Sequence, residues 1–206
     1  MEAKVYKVAI GTESFSSTVD FAVENPDIGS TVTSGWRNSS LHVATIGGNK
    51  VFIENILQYS DVFTTNSKGE TALHIAARLG HVEVATCLIE HVESLPRQEE
   101  DPDWLTMVNQ EGNTALHEAV RYGHFAMVEL LIRKRPLLAS STNGDGESPL
   151  FMAVDRKFYR IARHILEKFP NCSDSGRNGM NVMHAAVIRL HYISFRFYSL
   201  VQSKFP

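Results

Sequence analysis

Cysteine is scarce, long apolar runs are missing, and each shortage removes a class of protein. The 206 residues hold two cysteines, Cys87 and Cys172, which make neither a disulfide framework nor a Cys-x-x-Cys metal pair. A reducing, cytoplasmic compartment is the expectation. No stretch of about 18 apolar residues occurs, so no transmembrane segment is expected in this chain. The opening MEAKVYKVAIGTESF lacks the long apolar core of a signal peptide, so Asn38-Ser39-Ser40 and Asn171-Cys172-Ser173 read as chance matches to a glycosylation acceptor. Charge of one sign is not in excess either: the net charge is −3 and the isoelectric point near 6.3. Nucleic acid is therefore not an expected partner. With 43% hydrophobic and 21% charged residues, the chain nevertheless has the composition of a folded protein rather than a disordered one.

Catalytic signatures are missing in the same way. There is no Gly-x-Ser-x-Gly elbow. Gly47-Gly48-Asn49-Lys50 lacks both the spacing and the preceding strand of a phosphate loop. Asn143-Gly144-Asp145-Gly146 lacks the alternating acids of a calcium loop and reads as a turn. Nine histidines raise a metal reading, with His74/His81, His117/His124 and His184/His191 each seven apart. A glycine separates the members of the first two pairs, placing them on different elements, and zinc requires about four converging ligands. The histidines are expected to be structural. No enzyme activity, metal or cofactor is expected.

What is present is repetition. Residues 69 to 91 read GETALHIAARLGHVEVATCLIEH, and residues 112 to 134 read GNTALHEAVRYGHFAMVELLIRK. Three further copies begin at Arg37, Gly146 and Gly179, so the starts are 32, 43, 34 and 33 residues apart. A period near 33 with one lengthened connection is the signature of a repeat architecture. The extra residues fall in VESLPRQEEDPDWLTMV, whose acids and two prolines predict a loop insertion over 92–107.

Each recurring residue type has a mechanical task. Thr71 and Thr114 stand where a first helix begins, and their hydroxyls suit a helix cap. Leu73 and Leu116 are expected in the core, and Ala76, Ala77 and Ala119 let two helices approach closely. Gly80 and Gly123 end that helix in the left-handed region, which glycine adopts without strain. His74, His117 and His184 are expected to hold the turn at its start, while His81 and His124 open a second, amphipathic helix. Such a pair cannot bury its apolar face alone and must stack on copies of itself.

The pattern Gly-x-Thr-x-Leu-His-x-Ala…Gly-His resembles the ankyrin repeat. That resemblance implies an all-α ankyrin-repeat solenoid of stacked helix-turn-helix units. Repeats are expected at about 35–66, 67–108, 109–142, 143–175 and from 176 to 190 onward. Residues 1–34 form a capping half-repeat and connector, since Tyr6 lies 36 residues before His42. The fourth and fifth copies are expected to be less regular. Phe151 stands for the histidine and Lys157 for the helix-ending glycine in one, and Asn181 and Leu190 replace threonine and glycine in the other. Residues 191–206 read as a degenerate C-terminal end, where Tyr192, Ile193, Phe195, Phe197, Tyr198 and Leu200 are expected to leave apolar surface open.

The wording SSLHVATIGGN, TALHEAVRYGH, GESPLFMAV and GMNVMHAAVI is similar to plant ankyrin proteins of the accelerated-cell-death type. In that family a cytosolic array usually precedes a C-terminal multi-helix membrane domain, and members are linked to defence, salicylate and salt-stress signalling. The resemblance implies a protein-binding scaffold in plant stress or defence signalling, on the cytosolic side and in association with a membrane complex. The membrane domain itself is expected to be absent from this polypeptide. The alternatives are the truncated cytosolic part of a membrane-anchored protein, or a regulatory subunit of an enzyme in another chain. A protein partner is expected to meet a concave wall formed by Ile46 and Gly47, Arg78 and Leu79, Arg121 and Tyr122, Asp155 and Arg156, and Ile188 and Arg189. Its four arginines suit an acidic or phosphorylated partner. Trp104 and the acidic Glu99–Asp103 loop form a second candidate contact.

Overall fold

A computed structural model of the chain describes residues 33, 35–96 and 103–189. The expected capping half-repeat, most of the acidic loop and the C-terminal end lie outside the described residues. Backbone contacts divide the chain into two compact units, Met1–Trp104 and Leu105–Pro206. All the regular elements described are helical. A single antiparallel bridge joins Ser175 to Asn181.

In the first unit, α1 (Ser40–Gly47) and α2 (Lys50–Ile56) make one helical pair, and α3 (Ala72–Leu79) and α4 (Val82–Ser94) make the next. In the second unit, α5 (Ala115–Arg121) pairs with α6 (Phe125–Lys134) and α7 (Pro149–Asp155) with α8 (Tyr159–Lys168), and α9 (Val182–Arg189) opens a further repeat. The first helix of each pair is short and almost wholly buried, which its alanines permit: Ala44, Ala76, Ala77, Ala119, Ala153 and Ala186 have no solvent exposure. Leu41, Leu73, Leu116 and Leu150 fill the space beside them. The second helices are amphipathic, and only one stripe is buried: Val84, Ala85, Leu88, Ile89 and Val92 on α4, Ile161, Ala162, Ile165 and Leu166 on α8. Stacking therefore buries apolar surface on both layers, at roughly 25 cal/mol per Å² removed from water.

Gly80 and Gly123 lie in the left-handed region (φ 74° and 76°), as the repeat requires. At the equivalent place in the fourth repeat, Lys157 adopts the same conformation with φ 64°. The fold thus imposes a glycine geometry on a side chain that resists it, at about 1–2 kcal/mol. This is why the fourth repeat, expected to be less regular, still forms both helices. Phe151 takes the histidine position there and is fully buried. It packs so closely on the following turn that a Cβ on Gly176 would fall inside its ring. In the fifth repeat Asn181 replaces the threonine and still caps the helix, its Oδ1 accepting from the His184 N–H at 3.1 Å.

The insertion also differs from a plain loop. Helix α4 runs on through Ser94, burying Val92, and Trp104–Thr106 form a 3₁₀ turn. Trp104, expected to be available to a partner, is only 3% exposed. An indole is large enough that burial outweighs its acidic neighbours in sequence.

Replacing Lys157 by Gly is expected to raise stability by about 1 kcal/mol through relief of the left-handed strain. Gly123→Ala should do the reverse, because a Cβ there also meets the Phe158 ring at 2.9 Å. Thermal unfolding followed by circular dichroism checks both signs.

Candidate functional site

The repeats are joined by turns of one design. Asn66, Asn109 and Asn143 each donate a backbone N–H to the carbonyl four residues on, at 2.9–3.0 Å. Each Oδ1 accepts from the backbone N–H groups two and four residues ahead: Lys68 and Glu70 for Asn66, Glu111 and Asn113 for Asn109, Asp145 and Glu147 for Asn143. In two of the three the amide nitrogen reaches a neighbouring turn, while the Asn109 nitrogen donates to Glu118. Asn66 Nδ2 donates to Asn38 Oδ1 and Asn143 Nδ2 to Asn113 Oδ1, both at 3.0 Å. The signal in the sequence is an asparagine three residues before each of Gly69, Gly112 and Gly146, and reasoning from the helical motif alone passes over it.

The histidines complete this frame. The His42 Nδ1 accepts from the Ser39 backbone N–H at 3.2 Å and lies 2.7 Å from its hydroxyl. An accepting Nδ1 leaves the proton on Nε2, which donates to the Glu70 carbonyl at 2.8 Å. His117 does the same with Thr114 (3.2 and 2.8 Å) and the Glu147 carbonyl (3.1 Å). His74 holds Thr71 with the same two distances. His184 makes the local bond to Asn181 on an exposed helix start. Burial pulls the His42 imidazole below its ordinary value, against the opposing pull of the Glu70 carbonyl and carboxylate. His81 and His124 are the N-cap residues of α4 and α6. The imidazoles of His42, His74, His117 and His184 thus each fix the start of a first helix, whereas His81 and His124 make no side-chain cap bond.

The expected arginine wall is differently made. Arg78 lies 3.6 Å from the buried Glu70. In the second unit Arg121 pairs with Glu111 at 2.6 Å and lies 3.9 Å from the buried Glu118. Asp155 accepts from both Arg177 and Arg189, at 2.9–3.0 Å, and Arg177 also reaches Glu147. The arginines Arg78, Arg121 and Arg189 are thus each paired with a carboxylate of the protein itself. Arg156 alone of the four is exposed and enters no ion pair among the described residues. Beside them, Leu79 and Tyr122 are 41% and 51% exposed, and Ile46 and Ile188 also face solvent.

Charge is set by these surroundings. Burial pushes the Glu118 carboxyl up, against Arg121 and the amides of Asn113 and Asn109. Burial would raise Asp155 as well, but hydrogen bonds from Arg189 and Arg177 outweigh it and hold the carboxyl below its usual range. Burial raises the Cys172 thiol to about 11, so it stays protonated at neutral pH. Among the described residues no cluster of histidine, cysteine and carboxylate could hold a metal ion. No helix there is long and apolar enough to cross a membrane.

Helix-turn-helix pairs whose first helices start at a histidine-bonded cap, or in one repeat at a buried phenylalanine, and which asparagine turns connect, define a repeat scaffold. A family model described as ankyrin repeats (3 copies) matches residues 8–99, 41–138 and 91–175, and the chain belongs to the ankyrin-repeat family. No curated protein matches it. Ankyrin repeats are generally non-catalytic interaction scaffolds, so the chain is a protein-interaction scaffold.

His117→Ala should lower unfolding free energy by about 1–3 kcal/mol, because the Thr114 cap and the Glu147 carbonyl both lose a buried partner. Urea denaturation measures the loss. For Asp155 the sign is set by its depressed value. A carboxylate lower in the folded state than its unfolded value of about 3.9 contributes stability that is complete above that value. The contribution is lost as pH falls through the folded one. Asp155→Asn should therefore cost about 1–2 kcal/mol at neutral pH, the value for charged hydrogen bonds discounted for exposed arginines. The difference from wild type should vanish in acid.

Proposed function

We propose that this scaffold serves plant stress or defence signalling on the cytosolic side of a membrane, in company with a membrane complex, and binds its protein partner through the ends of its first helices. The similarity of SSLHVATIGGN, TALHEAVRYGH, GESPLFMAV and GMNVMHAAVI to the accelerated-cell-death type supports the setting. The observation that carries the surface is the recurrence of an exposed apolar or aromatic side chain beside a carboxylate-held arginine. Leu79 follows Arg78 in the first unit, and Tyr122 follows Arg121 in the second.

Tyrosine and arginine dominate interface hot spots. An arginine already fixed by a carboxylate loses less side-chain freedom on binding than a mobile one. Recognition then rests on Arg78 and Leu79 in the first unit, and on Arg121, Tyr122, Asp155, Arg156 and Arg189 in the second, rather than on positive charge. The expected binding is only weakly sensitive to salt, since charges compensated within the protein give little long-range field.

Proximity labelling in plant cells, with the chain fused to a biotin ligase, tests this. Wild type should label a reproducible set of defence-signalling proteins. The Leu79→Asp/Tyr122→Asp pair should lose about tenfold in recovery of that set while melting normally, corresponding to about 1.4 kcal/mol of binding. An unchanged set would remove these positions from the interface, and a set without defence components would remove the setting.

A further inference from the structure

The second helices of the second unit carry a feature that the first-helix surface does not use. A groove of about 260 Å³ lies between α6 and α8, lined by Glu129, Ile132, Arg133, Pro136, His164 and Lys168. Its apolar part comes from Ile132 and Pro136, with Leu137, 57% exposed, next in the chain. The His164 ring is held edge-to-face on Phe125, centroids 5.2 Å apart, and the Arg160 guanidinium sits 3.8 Å from the same phenyl centroid.

Charge is distributed unevenly along the sequence. Residues 1–104 hold 7 lysines and arginines against 15 acids, and residues 105–206 hold 13 against 8. Within the second unit Arg121, Arg177 and Arg189 are cancelled by Glu111, Glu147 and Asp155. Arg133, Arg156, Arg163 and Lys168 enter no ion pair among the described residues. Uncompensated positive charge therefore lies on α6, α8 and the turn before α8, and Arg133 and Lys168 bring it into the groove. A cleft lined by one dominant sign concentrates opposite charge.

We infer that this groove docks an acidic segment of a partner protein. One carboxylate lies between Arg133 and Lys168, and the adjacent apolar side chain lies on Ile132, Pro136 and Leu137. Arginine favours a planar carboxylate through its paired donors. Glu129 at the rim rejects a second anion at that spot and accepts a backbone N–H instead, which favours a peptide over a sheet of lipid phosphates. This second contact lies on a different helix layer from the Tyr122 surface and stands independently of it.

The full chain is titrated against a fluorescein-labelled peptide with a Glu-Leu-Glu core, read by fluorescence anisotropy. Its Gln-Leu-Gln counterpart and vesicles of phosphatidylserine and phosphatidylcholine are run in parallel. The acidic peptide should bind about tenfold more tightly than the Gln peptide, a 1.4 kcal/mol difference. Arg133→Glu/Lys168→Glu should abolish that preference. Arg37→Glu/Lys68→Glu makes the same change in net charge on exposed residues of the first unit and should keep it. Normal circular dichroism of both variants excludes unfolding as the cause. Equal loss in both double variants, equal binding of the two peptides, or binding to anionic vesicles without binding to the acidic peptide would each overturn the assignment.

Discussion

A neutral imidazole offers one acceptor and one donor at opposite edges of a rigid ring, and this protein uses both to join what would otherwise be separate pieces. In His42 and His117 the acceptor fixes the start of a first helix and the donor reaches a carbonyl in the next turn, at 2.8 and 3.1 Å. The ring must be neutral for this, because a second proton on Nδ1 would confront a backbone N–H. Burial supplies that neutrality at His42. Helix starts, turn positions and the stacking of apolar stripes all follow from the ring's placement. The asparagine turns extend the same logic, since the Asn66 and Asn143 amides each serve their own turn with the oxygen and a neighbouring turn with the nitrogen.

Such a frame tolerates departures where another force fills the gap. Phe151 has no donor or acceptor, yet it holds its repeat by packing against the turn at Gly176. The Ser148 hydroxyl there accepts the Phe151 N–H at 3.1 Å, without sharing itself with an imidazole. Lys157 endures a left-handed backbone because the helices on either side are already placed. Apolar burial from the neighbours exceeds the local cost of about 1–2 kcal/mol, so the repeat keeps its form.

The helical pairs, their caps and the helix-ending glycines were legible because they depend on residues within a few positions of one another: Thr71 with His74, Leu79 with Gly80. The place of each arginine in its own repeat was legible, and its ion-pair partner was not. Arg78, Arg121 and Arg189 stand where the repeat places them, but their partners Glu70, Glu111 and Asp155 lie 8, 10 and 34 residues away. No local pattern announces such a pairing. The burial of Glu118 escaped for the same reason, since its amide partners belong to the turn before its helix. Trp104 looked exposed from its acidic neighbours, whereas the area of the indole decided its place. The setting in plant signalling rests on wording alone and belongs to the proposal, not to the fold.

Within each unit the bonds that tie one repeat to the next span only 28 to 34 residues of sequence: His42 to Glu70, Asn66 to Asn38, His117 to Glu147, Asn143 to Asn113, Arg189 to Asp155. A ribosome delivers residues in order, at roughly 5–20 per second. Each repeat therefore meets its partner a few seconds after leaving the exit tunnel, with no distant strand to await. Loop-closure entropy rises only slowly over such short intervals, and topologies rich in near-neighbour contacts are the quick ones to form. The stacked turns are thus also a timetable. Apolar faces are covered in the sequence in which they emerge, and the interval during which a half-made array shows bare surface to other proteins is kept short.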